Sequence, residues 1–157
     1  TYLAMCGELR RHGFEHYEIS NFALPGFRSR HNSKYWDLSE YIGLGPGAHS
    51  LFDGRRFAFP RDIAAFIDGT SAVRNEEEVP DFERQNEYLM LRLRTSDGVD
   101  LRDLEKRYNI DSTPYEKVFS ALRRPGLTEK SGTRWHLTEA GFLVSNSIIN
   151  MITDAAT

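Results

Sequence analysis

The sequence predicts an α+β chain in two parts, and three observations carry that prediction. Short β-forming runs punctuated by glycine fill the first half, and helical periodicity takes over past residue 80. Between them lies a polar stretch from Thr70 to Pro80 with Glu76-Glu77-Glu78 in a row. A run of like charges repels itself and rarely packs, so it reads as a solvated connector or a helix start. One unit is expected over residues 1–72 and a second over residues 80–157.

In the first unit Tyr2, Cys6 and Leu9 recur at helical spacing. The helix they predict ends with Arg10, Arg11 and His12 in its last turn and Gly13 just beyond, where cations and a left-handed residue suit the carbonyl end. Phe14 to Phe22 then predicts a strand, Tyr17 and Ile19 alternating with Glu18 and Ser20, and Pro25-Gly26 breaks it into a loop that carries Arg30 to Trp36. Gly43-Leu44-Gly45-Pro46-Gly47-Ala48 has the spacing of a dinucleotide fingerprint but lacks the helix that must open behind the glycines. Asp53-Gly54 between two short apolar-bearing runs predicts a hairpin instead, and the glycines let backbone pass close to a strand or ligand. Pro60-Arg61-Asp62 starts a short helix with Ile63, Phe66 and Ile67 on one face, closed by Gly69.

In the second unit Asp81 can cap a helix with Phe82, Leu89 and Leu93 on one face, ended by Gly98. Leu101, Leu104 and Tyr108 mark a second helix. Thr113-Pro114-Tyr115-Glu116 reads as a capping box opening a third, striped by Tyr115, Val118, Phe119 and Leu122 and stopped by Pro125-Gly126. Leu127–Glu129 and Thr133–Leu137 flank a turn at Ser131-Gly132, and one last helix carries Phe142, Ile149 and Ile152. Three helices followed by a hairpin is the order of a winged helix, with Lys130 and Arg134 on the wing.

That order raises DNA binding, which charge argues against. Lys117, Arg123 and Arg124 share the third helix with Glu116, whereas phosphate contacts need cations clustered on one face. The formal net charge of −3 and mean hydropathy of −0.53 give no pull toward nucleic acid or an anionic membrane. No apolar stretch approaches the roughly 20 residues of a membrane span. With one cysteine and no basic-then-apolar leader, a reducing cytoplasm is expected. The chain starts on Thr1, and it reads as the C-terminal piece of a longer protein.

The stretch Arg30-His31-Asn32-Ser33-Lys34-Tyr35-Trp36 concentrates the chemistry. It offers an imidazole that can ligate a metal, two aromatic faces and two cations for carboxylates, which is what an iron porphyrin requires. On chemistry alone a histidine beside two aromatics is more often packed than liganded.

Tyr17-Glu18-Ile19-Ser20-Asn21-Phe22-Ala23, then His31-Asn32-x-x-Tyr35-Trp36, then Tyr41-Ile42-Gly43-Leu44-Gly45-Pro46-Gly47-Ala48-His49-Ser50 occur in this order. Together they resemble the oxygen-independent coproporphyrinogen III oxidase family of radical S-adenosylmethionine proteins, and its haem-chaperone branch more than the oxidase. The oxidase branch has a Phe-Gln pair where this chain has Ser33 and Lys34. The resemblance implies that the first unit is the C-terminal end of a partial (β/α) barrel. It implies haem bound by His31, Asn32, Tyr35 and Trp36, with His31 the iron ligand, although Trp36 could equally plug the barrel end. It implies S-adenosylmethionine near Gly45, Gly47, Ala48 and His49, and haem-acceptor proteins as partners.

A [4Fe-4S] cluster in this family takes three cysteines, conventionally C-x-x-x-C-x-x-C. This chain has only Cys6, which reads as a small buried residue, so the chain alone is expected to be without radical chemistry. A partial barrel exposes sheet edge and apolar interior, which favours dimerisation. The same-family alternative is oxidative decarboxylation of coproporphyrinogen III. The alternative of another class is a noncatalytic winged-helix interaction module.

Overall fold

A computed structural model describes the backbone of residues 1–71, 74–78 and 81–156, and the side chains of residues 1–71 and 83–155. Helix α1 (Tyr2–Arg11) ends as expected, with His12 as its C-cap and Gly13 at φ 84°. The single strand expected over Phe14–Phe22 is a hairpin, β1 (Glu15–Glu18) and β2 (Asn21–Ala23). Glu18 makes the turn: its carboxylate accepts from the Ser20 backbone N–H at 2.9 Å and from Asn21 Nδ2 at 2.5 Å. Alternation alone could not reveal it, because the residues on both sides of the turn are β-formers.

Arg30–Trp36, expected on a loop, form helix α2. Ser29 starts it, its Oγ accepting from the Asn32 N–H at 3.2 Å. The expected Asp-Gly hairpin is present as β3 (His49–Phe52) and β4 (Arg55–Ala58), with Asp53 and Gly54 both at positive φ as a tight type I′ turn requires. Helix α3 (Ile63–Ile67) is capped by Asp62, but its apolar face is not buried: Ile63 is 66% and Ile67 79% exposed.

The acidic connector is a strand. β5 (Arg74–Glu78) pairs antiparallel with β4, setting Glu78 opposite Arg55 and Glu77 opposite Arg56. The hydrogen-bonding edge of β4 outweighs the mutual repulsion of three glutamates, which a purely local reading cannot weigh. The rest of the expected boundary, residues 72, 73, 79 and 80, lies outside the described residues.

Helix α4 (Asp81–Leu93) follows, and it stops at Leu93, five residues before Gly98. The expected capping by Asp81 and the packing of Phe82 concern side chains outside the described residues. Strand β6 (Val99–Asp100), helix α5 (Leu101–Tyr108) and helix α6 (Thr113–Arg123) come next, then strands β7 (Thr128–Ser131) and β8 (Arg134–Leu137). The sheet order is β6-β8-β7, so the hairpin is extended by a strand lying between the first two helices of this unit. Thr113 does not form a capping box. Ser112 precedes α6 and is held by Glu105, while Glu116 accepts from Lys130 Nζ at 2.6 Å and from Trp135 Nε1 at 2.8 Å. The last helix is two, α7 (Glu139–Leu143) and α8 (Ser145–Thr153), broken at Val144.

The core lies in this second unit. Leu89, Leu93, Leu104, Tyr115, Phe119, Ile148 and Ile152 are fully buried, and Trp135 stacks on Phe119 with ring centroids 5.3 Å apart. The first unit is fastened to it by the apolar side chains of Tyr2, Ile19 and Leu38, which pack against the core, and by polar bridges. Arg94 meets buried Glu18 at 3.2 Å, Arg28 meets Asp97 at 3.0 Å, and Arg56 holds both oxygens of Glu87 at 2.6 and 2.7 Å. Main chain joins as well: Ile19 N–H donates to the Arg94 carbonyl and Ser96 N–H to the Tyr17 carbonyl.

Candidate functional site

Helix α2 splits the signature between two faces. His31 and Tyr35, one helical turn apart, meet: the Tyr35 hydroxyl lies 3.2 Å from His31 Nε2, and the rings are edge to face at 5.1 Å. Tyr35 in turn lies 4.7 Å from the Tyr41 ring. His31 is exposed, and its Nδ1 has no hydrogen bond among the described residues. Burial, and then the neighbouring Tyr35, raise the Tyr41 pKa, so this phenol stays protonated.

Trp36 points the other way. The Arg94 guanidinium sits 5.4 Å from its ring centroid, and the indole Nε1 is buried with no hydrogen-bond partner among the described residues. One guanidinium therefore faces the buried Glu18 carboxylate and the Trp36 ring together. Asn32 gives its backbone N–H to the Ser29 cap. Arg30 and Lys34 are exposed, and among the described residues neither makes an ion pair.

Gly45, Gly47, Ala48 and His49 lie on the approach to β3. Their amides are largely spent within the fold: Gly47 N–H donates to the carbonyls of Phe59 and Pro60, and Ala48 N–H to that of Gly45. Gly47 has φ 73°, and a Cβ there would lie 2.7 Å from Arg61 Cγ, which is why the position needs glycine. His49 is exposed at the start of β3.

Sequence reasoning missed Arg94 and Tyr41, which come from outside the signature. Glu18 gave the signal for Arg94: an acid at a strand position that ends up 1% exposed needs a cation. A cavity of about 640 Å³ lies in the second unit among Glu105, Glu116, Lys117 and Lys130 and touches no signature residue. A cavity of about 60 Å³ under Trp36, lined by Tyr17, Arg28 and Arg92, is too small for a porphyrin. The outer face of α2 instead presents an exposed imidazole, two phenol rings and two cations that make no ion pair among the described residues, donors of the kinds a haem takes. Among the described residues no helix is long and apolar enough to cross a membrane.

Comparison with known proteins agrees with the fold. Residues 80–144 match the HemN C-terminal domain family. The heme chaperone HemW of Lactococcus lactis is 32% identical over 146 residues, covering 89% of this chain and 38% of that protein. The heme chaperone HemW of Bacillus subtilis is 31% identical over 153 residues, covering 94% of this chain and 40% of its own. The chain thus spans about two fifths of the length of these relatives. Among solved structures, the radical SAM enzyme coproporphyrinogen III oxidase (HemN) from Escherichia coli matches with a TM-score of 0.70. The match has 12% identity over 96% of this chain and 39% of the other.

Proposed function

We infer that this chain, which belongs to the radical SAM family of HemW and HemN, is part of a haem chaperone that binds haem and passes it to acceptor proteins. The observation that carries this reading is the exposed His31 imidazole, held beside Tyr35, with its Nδ1 making no hydrogen bond among the described residues. Neutral imidazole binds iron readily, whereas Tyr35 must first lose a proton. Tyr35 and Tyr41 would face the macrocycle, and Arg30 and Lys34 would meet its propionates. Asn32 would support the site from α2. Trp36 would act from behind, fixing the helix against Arg94.

A [4Fe-4S] cluster and S-adenosylmethionine belong in this proposal to the whole protein, since this chain has a single cysteine. Gly45 to His49 would border the nucleotide through carbonyls and the His49 side chain, because the Gly47 and Ala48 amides are occupied. DNA binding is weaker still as an alternative: Lys130, expected on the wing, is paired with Glu116.

The test is a haem titration followed by the Soret band, on the whole protein and on this chain, each with and without His31→Ala. Stoichiometric binding whose spectrum is shifted or abolished by His31→Ala supports the reading. An unchanged spectrum removes His31 as ligand, and absence of binding by the whole protein overturns the haem assignment.

A further inference from the structure

Helix α1, hairpin β1–β2 and helix α7 bring three donors together away from the signature. Cys6, His16 and Glu139 each place a ligand atom within 4.8 Å of the others. Cys6 is 1% exposed, the His16 side chain 9%, and the Glu139 side chain, at 27%, opens the cluster to solvent.

The tautomer of neutral His16 is set by its surroundings. Its Nε2 lies 3.1 Å from the Ile19 carbonyl and 3.3 Å from the Tyr2 hydroxyl. Tyr2 itself donates to that carbonyl at 2.8 Å. A carbonyl only accepts, so Nε2 carries a proton, and in the neutral ring it is Nδ1 that presents the lone pair. That Nδ1 is buried without a hydrogen-bond partner among the described residues, and the Glu139 Oε1 that faces it at 3.8 Å is another lone-pair donor. Two acceptors facing each other beside a thiol leave a place for a cation. An imidazole whose far nitrogen donates to a backbone carbonyl is the usual second-layer arrangement of a metal ligand.

We propose that Cys6 Sγ, His16 Nδ1 and Glu139 Oε1 form a site for a borderline-soft divalent cation of the Zn²⁺ type. Bond lengths of 2.0–2.3 Å put tetrahedral ligands about 3.3–3.8 Å apart, so the cluster need contract by at most about 1–1.5 Å. Three protein donors leave a fourth position for water. Binding converts the Cys6 thiol to a thiolate and releases its proton to solvent. Arg10, ion-paired to the same Glu139 oxygen, must share or yield it, and as an exposed side chain it can swing clear. Bound there, the cation would clip the two N-terminal elements to α7.

The test is a Co²⁺ titration of the 157-residue chain under anaerobic, thiol-free conditions. Because Cys6 is the chain's single cysteine, a thiolate-to-cobalt charge-transfer band in the near ultraviolet reports this residue alone. The band is expected to appear, to be displaced by Zn²⁺, and to be lost in Cys6→Ser. Glu139→Gln keeps the fold, as circular dichroism will check, and should weaken Co²⁺ at least tenfold; His16→Phe should do the same. No charge-transfer band, or wild-type affinity in Glu139→Gln, overturns the site and leaves Cys6 a buried thiol. Should Cys6→Ser and His16→Phe fail to fold, Glu139→Gln decides alone.

Discussion

The two units differ in where their apolar side chains go. In the second, Leu89, Leu93, Leu104, Tyr115, Phe119 and Ile148 are completely buried. In the first, Phe27, Leu44 and Ile67 are 78%, 88% and 79% exposed. The second unit supports itself by hydrophobic burial, while the first adds to the apolar contacts of Tyr2, Ile19 and Leu38 with that core a set of specific polar bridges at Glu18, Arg28 and Arg56. Burial is undirected and spread over many residues, whereas a polar bridge fails when one partner is lost. The exposed chemistry of α2 therefore depends in part on a few bonds made by residues of the other unit.

Substitutions of graded severity can break this contrast. The largest effect is expected from Trp135→Ala, which removes an indole buried against Phe119 and costs about 3–5 kcal/mol. Denaturant unfolding should show it as a lower midpoint with the slope unchanged, and a loss below about 1 kcal/mol would mean that the core does not carry the second unit.

Arg94→Ala is next. It leaves the Glu18 carboxylate, 1% exposed, without its cation and uncovers Trp36, at a cost of about 2–3 kcal/mol. Hydrogen exchange should rise in β1, β2 and α2 while α5 and α6 keep their protection. Equal loosening of both units would erase the proposed difference between them.

Asp100 sharpens the comparison from within the second unit. Its carboxylate accepts from Thr133 Oγ1 at 2.7 Å and caps α5 at the Arg102 N–H at 3.0 Å. The Thr133 hydrogen bond chiefly, with help from the Arg102 and Asp103 amides and against burial, lowers its pKa. A lowered folded pKa contributes stability that is present above the unfolded value near 4 and is lost as pH falls through the folded value. Asp100→Ala should cost about 1 kcal/mol at neutral pH, as the loss of a helix cap does. Asp100→Asn keeps the cap and should flatten the stability loss below about pH 4; an unchanged acid profile would show that this carboxylate is not its source.

The smallest effect on stability is expected from His31→Ala, within about 0.5 kcal/mol, because the ring is exposed. If its melting point falls as far as that of Arg94→Ala, His31 is a structural residue and the proposed division of roles within α2 is wrong.

Much of the second unit is legible in the sequence because its signals are local. The stripes of Leu101, Leu104 and Tyr108 and of Tyr115, Val118, Phe119 and Leu122 specify helices by their own spacing. Asp53-Gly54 specifies its hairpin by turn chemistry alone. The pairing of His31 with Tyr35 is likewise local, since residues four apart share a helix face once Ser29 starts α2.

By itself, then, the sequence determined α1, α5 and α6, the tight turn and the set of groups between Arg30 and Trp36, all of which depend on neighbours a few residues away. Only the tertiary structure decided that Glu18 closes a turn and meets Arg94, that Trp36 faces inward, and that the glutamate run becomes a strand beside β4. It alone brought Cys6, His16 and Glu139 to one point. Each of these outcomes depends on partners distant in the chain, whose desolvation and hydrogen bonding override local preference and leave no periodic trace.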